Sequence, residues 1–275
     1  MVRGAGSADC AGVQPCLVAL DLDGTLLDHH GHLSEGHVRC VERLRQRGHQ
    51  VVIVTGRPLL TARALHARLR LASPLVSFNG GHVGVPDGAE WSRAGIPPAV
   101  IARVREALRD EPCSLCIYPE PDCWIMDRVI PQTEGWSRRY ACAIRIDERA
   151  VAGADRPSIK LMVVADPACI GRLVVRLREV VGARCEVVAS QDDRIELMPR
   201  GVTKASGLQL VAGRLGFHRE QVWAVGDADN DVEMVAWAGH GCAMGRATPR
   251  LRAAARHHLP SAPERGLCAL PLLRG

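Results

Sequence analysis

The chain has 275 residues, 47% hydrophobic and 24% charged, a globular balance with room for one large domain or two smaller ones. Its net charge of +5 suits anionic small molecules, but no dense basic run is interleaved with aromatics, which argues against a nucleic-acid surface. No stretch approaches the roughly 20 apolar residues of a membrane span, and the apolar run from Cys16 to Leu20 is too short for a signal-peptide core, so a soluble, cytoplasmic protein is expected.

The chain order reads as follows. Residues 1–13 form a loose tail. A buried strand over 16–20 ends in an Asp-rich turn. The spacing of Val38, Val41 and Leu44 predicts a helix over 34–47, with Ser34 as N-cap and Gly48 as its end. A second strand over 50–54 leads into Thr55-Gly56-Arg57-Pro58 and a helix to about 69. A third strand over 74–78 ends at Asn79-Gly80-Gly81. This alternation predicts a parallel sheet with helices on both faces, whose ligands bind beyond the carboxyl ends of the strands. Asp21, Thr55 and Asn79 all fall at that edge.

The middle changes character. Helices are expected at 97–109, near 131–140 and at 167–180, with strands at 113–118, 122–128, 159–164, 184–190 and 193–198, the last two joined by a hairpin turn at 190–193. After Pro199 the α/β pattern resumes: a helix capped by Thr203, a strand over 221–225, a short helix, a strand near 241–244 and a last helix from about 248. The expected organisation is a Rossmann-like parallel-sheet core over 14–83 and 191–275, with an α+β cap inserted over 84–190.

Eleven cysteines, an odd number with no CxxC pair, argue against a disulfide framework or a zinc site, and reduced thiols are expected. Among the basic residues only Lys160 and Lys204 are lysine, which draws attention to both. Asp21 and Asp23 flank one residue in a turn after a strand, and Asp227 sits in a similar turn after another. Carboxylates converging at one sheet edge repel unless a cation neutralises them, and an oxygen-only site of few carboxylates suits Mg²⁺. A lysine beside such a metal, and backbone N–H groups at helix starts, complete a phosphate site.

Four motifs carry a resemblance to a family. LVALDLDGTLLD (17–28), VVIVTGRP (51–58), GVTKASGL (201–208) and GDADNDVEM (226–234), in this order and spacing, resemble the haloacid dehalogenase (HAD) superfamily and within it the Cof-type subfamily IIB phosphatases. PLVSFNGG (74–81) is similar to the segment that leads into that subfamily's cap, of the C2B type. The resemblance implies hydrolysis of a phosphomonoester, a sugar phosphate or a related small metabolite, through an aspartyl-phosphate. It implies Asp21 as nucleophile and Asp23 as general acid and then base. It implies Mg²⁺ held by the Asp21 carboxylate, the Asp23 backbone carbonyl and the Asp227 carboxylate. Thr55, Gly56, Lys204 and Asn230 would bind phosphate, Lys204 also holding Asp21, with Asp231 and Thr25 in support. A phosphotransferase or phosphomutase would use the same intermediate. A non-catalytic phosphate-binding regulator is a different class, disfavoured by the presence of both Asp21 and Asp23. Two departures from the family pattern, Arg246 in AMGRA and the segment 261–266, bear on loop support and substrate shape. The partner is a small phosphorylated molecule, and the protein a monomer or homodimer.

Other residues have blander readings. Arg57 is an ion-pair member or a substrate contact; Lys160 is core-facing support or a substrate contact. Asp229 is a solvated turn residue. His29, His30, His32 and His37 have no standard metal-ligand spacing, and His257 and His258 read as surface. Cys116, Cys123 and Cys142 read as small apolar fillers, while Tyr118, Trp124 and Asp127 are candidates to line a leaving-group pocket.

Overall fold

A computed structural model describes residues 14–260 and 266–273. The expected tail over 1–13 and most of the segment 261–266 lie outside the described residues. In chain order the elements begin with β1 (Leu17–Leu20), α1 (Glu35–Gln46), β2 (Gln50–Val54), α2 (Leu59–Arg68), β3 (Leu75–Ser77), β4 (His82–Gly84) and β5 (Glu90–Arg93). They continue with α3 (Pro98–Ala107), β6 (Cys113–Ile117), β7 (Ile125–Met126), α4 (Trp136–Arg139), β8 (Arg145–Ile146), α5 (Glu148–Ala152), β9 (Leu161–Ala165), α6 (Pro167–Val181), β10 (Cys185–Gln191) and β11 (Arg194–Pro199). The last are α7 (Lys204–Leu215), β12 (Val222–Gly226), α8 (Val232–Trp237), β13 (His240–Ala243), α9 (Pro249–Ala254) and β14 (His257–His258).

Two sheets result. The first runs β14-β13-β12-β1-β2-β3-β4-β5; it is parallel from β14 to β3, and β4 and β5 add antiparallel at one edge. β1 lies between β12 and β2 and is buried on both faces. Val18 and Leu20 pack with Val41 and Leu44 of α1, and Leu17 and Ala19 with Leu208 and Val211 of α7. This two-sided burial is why the parallel strands read as continuous apolar runs. The helix ends form as their caps require. The Ser34 hydroxyl accepts from His37 N at 3.1 Å, Gly48 turns left-handed after α1, and Thr203 accepts from Ser206 N at 3.2 Å while the Ser206 hydroxyl takes Thr203 N at 3.0 Å.

The second sheet, β10-β11-β9-β6-β7-β8, carries α3 and α6 on one apolar face and an aromatic face opposite. The expected boundaries shift. β4 and β5 belong to the first sheet, so that sheet's first segment runs beyond 83. β11 pairs with β9 and β10 in the second sheet, so residues 191–199 do not belong with the core. The reason is pairing: β11 forms a hairpin with β10, and nothing in its own residues marks which sheet it joins. The helix expected near 131–140 is a single turn at 131–133 followed by the short α4, and the strand expected over 122–128 is only two residues long.

The cysteine expectation also fails at one pair. Cys40 of α1 is disulfide-bonded to Cys268, with Cα atoms 5.6 Å apart across 228 residues of sequence. The C-terminal segment lies over α1, where Leu267, Leu270 and Leu273 join the α1 side of the core and the Arg43 guanidinium donates to Leu273 O at 3.1 Å. That packing brings the two sulfurs together. Among the described residues no helix is long and apolar enough to cross a membrane.

Candidate active site

Asp21 continues the line of β1, its N–H donating to Val225 O of β12 at 3.1 Å, which sets its carboxylate at the carboxyl edge of the sheet. The chain then reverses: Leu27 N donates to Leu22 O at 2.7 Å and Gly24 N to Leu27 O at 3.1 Å. Gly24 has φ +84°, and a Cβ there would stand 2.1 Å from an Asp227 oxygen, so only glycine lets the two turns meet.

Lys204, at the start of α7, is the hub. Its ammonium donates to Asp21 Oδ1 at 2.7 Å and to Asp231 Oδ1 at 2.6 Å, and all three side chains are at most 4% exposed. The other Asp231 oxygen accepts from the backbone N–H groups of Asp227 and Ala228 at 3.1 and 3.0 Å, pinning the turn after β12. Thr25 donates to Asp227 Oδ1 at 3.0 Å. Asp21, Asp227 and Asp231 each present a carboxylate oxygen within 4.8 Å of the others, the one such acidic, His or Cys group of three or more among the described residues.

The charges in this cluster are unbalanced. Burial, opposed by Lys204 and reinforced by Asp231, pushes the Asp21 carboxyl well above the usual range. Burial lowers the Lys204 ammonium, but Asp21 and Asp231 outweigh it, and the net shift is upward. Asp21 rises because burial outweighs its single ammonium, and Lys204 rises because two carboxylates outweigh its burial. Burial and the Asp231 charge raise Asp227 to about 6, against the Thr25 hydrogen bond. An all-oxygen donor set with a deficit of positive charge fits a hard divalent cation such as Mg²⁺.

The remaining expected residues fall around this cluster. Asp23 does not join it; its carboxylate is gripped by Arg57, whose Nε and NH2 donate at 2.8 and 2.5 Å. Arg57 is therefore an ion-pair member. Thr55 is buried at the end of β2, where its hydroxyl accepts from Arg57 N at 3.1 Å. Asn230 donates to Asn79 Oδ1 at 3.1 Å. Sequence reasoning placed Asn79 at the sheet edge but gave it no role. Its signal was the Asn-Gly after a strand, where asparagine tolerates a left-handed backbone.

Residues with blander readings resolve as follows. Lys160 is buried and pairs with Glu196 at 2.9 Å, inside the second sheet. Tyr118 and Trp124 are buried in a ring cluster with Phe78, Trp136 and Tyr140. Asp127 is bound within its own module by Ser114 Oγ and Leu115 N at 3.1 and 2.9 Å. His37 lies in α1, buried, with its Nδ1 2.9 Å from Leu26 O. His257 is not simply surface: its ring stacks at 5.1 Å on Trp223. Asp229 accepts from Thr248 Oγ1 at 2.6 Å.

Comparison with known proteins covers most of the chain. The sequence model of the haloacid dehalogenase-like hydrolases matches residues 18–269. An HMP-PP phosphatase from Cronobacter sakazakii is 32% identical over 259 residues, 92% of this chain and 91% of that protein. A 5-amino-6-(5-phospho-D-ribitylamino)uracil phosphatase from Bacillus subtilis is 31% identical over 237 residues, 84% of this chain and 87% of that protein. The crystal structure of a haloacid dehalogenase-like hydrolase from Bacteroides thetaiotaomicron superposes with a TM-score of 0.85 at 25% identity, covering 92% of this chain and 97% of that one. With a family match spanning nearly its whole length, the chain belongs to the haloacid dehalogenase-like hydrolases.

Proposed function

We propose that the protein is a Mg²⁺-dependent phosphomonoester hydrolase that acts on a small phosphorylated metabolite through an aspartyl-phosphate on Asp21. The observation that carries this reading is the buried Asp21–Lys204–Asp231 cluster with Asp227 beside it, at the sheet edge that also presents Thr55 and Asn230. Family membership and the phosphatase names of the two relatives support it.

The Asp21 and Asp227 carboxylates and the Asp23 backbone carbonyl would hold Mg²⁺, with Asp231 behind them. When bound, the ion neutralises the repulsion between a carboxylate nucleophile and a phosphate dianion. Lys204 fixes the Asp21 carboxylate by its Oδ1 and offers its charge to a phosphate oxygen. Thr55, the Gly56 N–H and Asn230 bind the other phosphate oxygens. Asp21 attacks phosphorus, the bond to the leaving oxygen breaks, and Asp23 gives that oxygen a proton. Asp23 then takes a proton from water, the water oxygen attacks phosphorus, and phosphate leaves with Asp21 restored. Arg57 occupies both Asp23 oxygens in this structure, so Asp23 must part from Arg57 before it can reach a leaving group.

The module carrying the second sheet, over about 94–200, is proposed as the cap that reads the leaving group, and its aromatic face supports that assignment: Phe78 at the edge of the core meets Tyr118 edge to face at 5.3 Å. Sugar phosphates and phosphorylated heterocycles of the kind named for the relatives are the substrates to test.

The test is phosphate release from a panel containing HMP-PP, 5-amino-6-(5-phospho-D-ribitylamino)uracil and sugar phosphates, with Mg²⁺ or EDTA. Mg²⁺-dependent release that falls at least about 10³-fold in Asp21→Asn is expected. Release that survives EDTA or Asp21→Asn overturns the mechanism.

A further inference from the structure

We infer that Asn79 is a positioning residue for the phosphate group, clamping the proposed Thr55–Gly56 and Asn230 contacts into one cradle. This rests on the phosphatase reading above.

Asn79 touches all three of those residues. Its N–H donates to Thr55 O at 3.0 Å, its Oδ1 accepts from Asn230 Nδ2 at 3.1 Å, and its side-chain amide lies over Gly56, where a Cβ would stand 3.0 Å from that same Oδ1. Thr55 and Gly56 follow β2, Asn79 follows β3 and Asn230 follows β12. β2 and β12 are separated in the sheet by β1, so no direct backbone ladder links Asn230 to Thr55. The Asn79 side chain is the link. Asn230 is exposed, and a lone exposed amide samples several rotamers; the bond to Asn79 selects one and orients the amide. That bond uses the Asn79 oxygen and leaves its two amide N–H donors outside it.

The backbone is built to hold Asn79 there. Phe78, Asn79 and Gly80 have φ +52°, +53° and +95°, three consecutive left-handed residues. A non-glycine residue in this region is disfavoured, and a pair in sequence more so, which points to a surrounding structure that over-determines the turn. The determinants are visible. Phe78 is fully buried against the Tyr118 ring and its N–H donates to Arg57 O at 3.0 Å. Gly80 packs so closely that a Cβ would stand 2.2 Å from Thr203 O, next to Lys204. The strained turn is thereby tied to the elements that carry Arg57 and Lys204, and Asn79 projects from its centre.

The substitution Asn79→Gly separates the side chain from the fold, because glycine adopts the left-handed backbone without strain. The readouts are the Kd of orthovanadate in Mg²⁺, the thermal midpoint, and kcat and KM on the best substrate of the panel. We expect Asn79→Gly to weaken vanadate about ten- to hundredfold with the thermal midpoint unchanged. Its effect should largely disappear in an Asn230→Ala background, since the two amides act as a unit. Asn79→Asp, which keeps the acceptor for Asn230 but loses the donors and adds a charge, should raise KM more than it lowers kcat. Unchanged vanadate affinity in Asn79→Gly, or full additivity with Asn230→Ala, overturns the inference. Wild-type protein that binds vanadate yet hydrolyses no phosphomonoester overturns the phosphatase reading instead, and the vanadate comparison still decides the role of Asn79.

Discussion

Replacing Lys204 by methionine keeps the length of an apolar stem and removes only the ammonium. In the folded protein that group lies 2.7 Å from Asp21 and 2.6 Å from Asp231 and is almost wholly buried. At an effective dielectric of about 20, each contact is worth about 6 kcal/mol of Coulomb energy, most of which offsets the desolvation of the three charges. Removing one partner of such a cluster costs about 3–5 kcal/mol, because two carboxylates remain buried without a cation. The loss depends on pH, and its sign follows from Asp21. Burial already raises this carboxyl in the folded state, and without Lys204 it rises further. A folded-state value above the unfolded one means that stability from this group is greatest at acid pH and is lost as pH rises, by up to about 1.4 kcal/mol per unit. Urea denaturation in EDTA at pH 5 and pH 8 measures both effects. The penalty of Lys204→Met should exceed about 3 kcal/mol at pH 8 and be clearly smaller at pH 5. A loss below about 1 kcal/mol at pH 8, or an equal loss at both, would refute this charge balance.

Three further outcomes are expected. Burial raises Asp227 to about 6 from 3.8, so the metal-free protein loses stability from this group as pH rises through that window. A cation binds the ionised form, so the apparent Mg²⁺ affinity should fall up to about tenfold per unit below pH 6; Mg²⁺ thermal-shift titrations that give equal affinity at pH 5 and pH 7 would contradict this. The Cys40–Cys268 bond ties the C-terminal segment to α1, so Cys40→Ser should lower the thermal midpoint by about 5–15 °C. Non-reducing peptide mapping should recover the linked pair.

The motif residues were legible because each stands just after a short, doubly buried strand: Asp21 after LVAL, Thr55 after QVVIV, and Asp227 at the end of VWAVG. Apolar runs of that length in alternation with helices define a parallel sheet, and a parallel sheet has one functional edge. The caps at Ser34 and Thr203 were legible for a similar reason, since they satisfy backbone donors within their own turn.

What only the tertiary structure decided depends on partners far away in sequence. β11 joins the second sheet because β9 and β10 pair with it, and its alternating pattern would suit either sheet. Asp23 lies with Arg57 and not in the acidic cluster, although only one residue separates it from Asp21, because their partners Arg57 and Lys204 come from distant parts of the chain. Cys40 and Cys268 meet through the packing of the C-terminal leucines, which no cysteine spacing encodes. Asn79 gains its place from a turn fixed by Tyr118, Arg57 and Thr203, residues drawn from three other parts of the chain. By itself the sequence determined which polar residues stand just after the parallel strands, at one edge of the sheet, because that follows from local burial and turn propensity. The tertiary structure decided which of those groups touch, because contact is set by non-local pairing and packing.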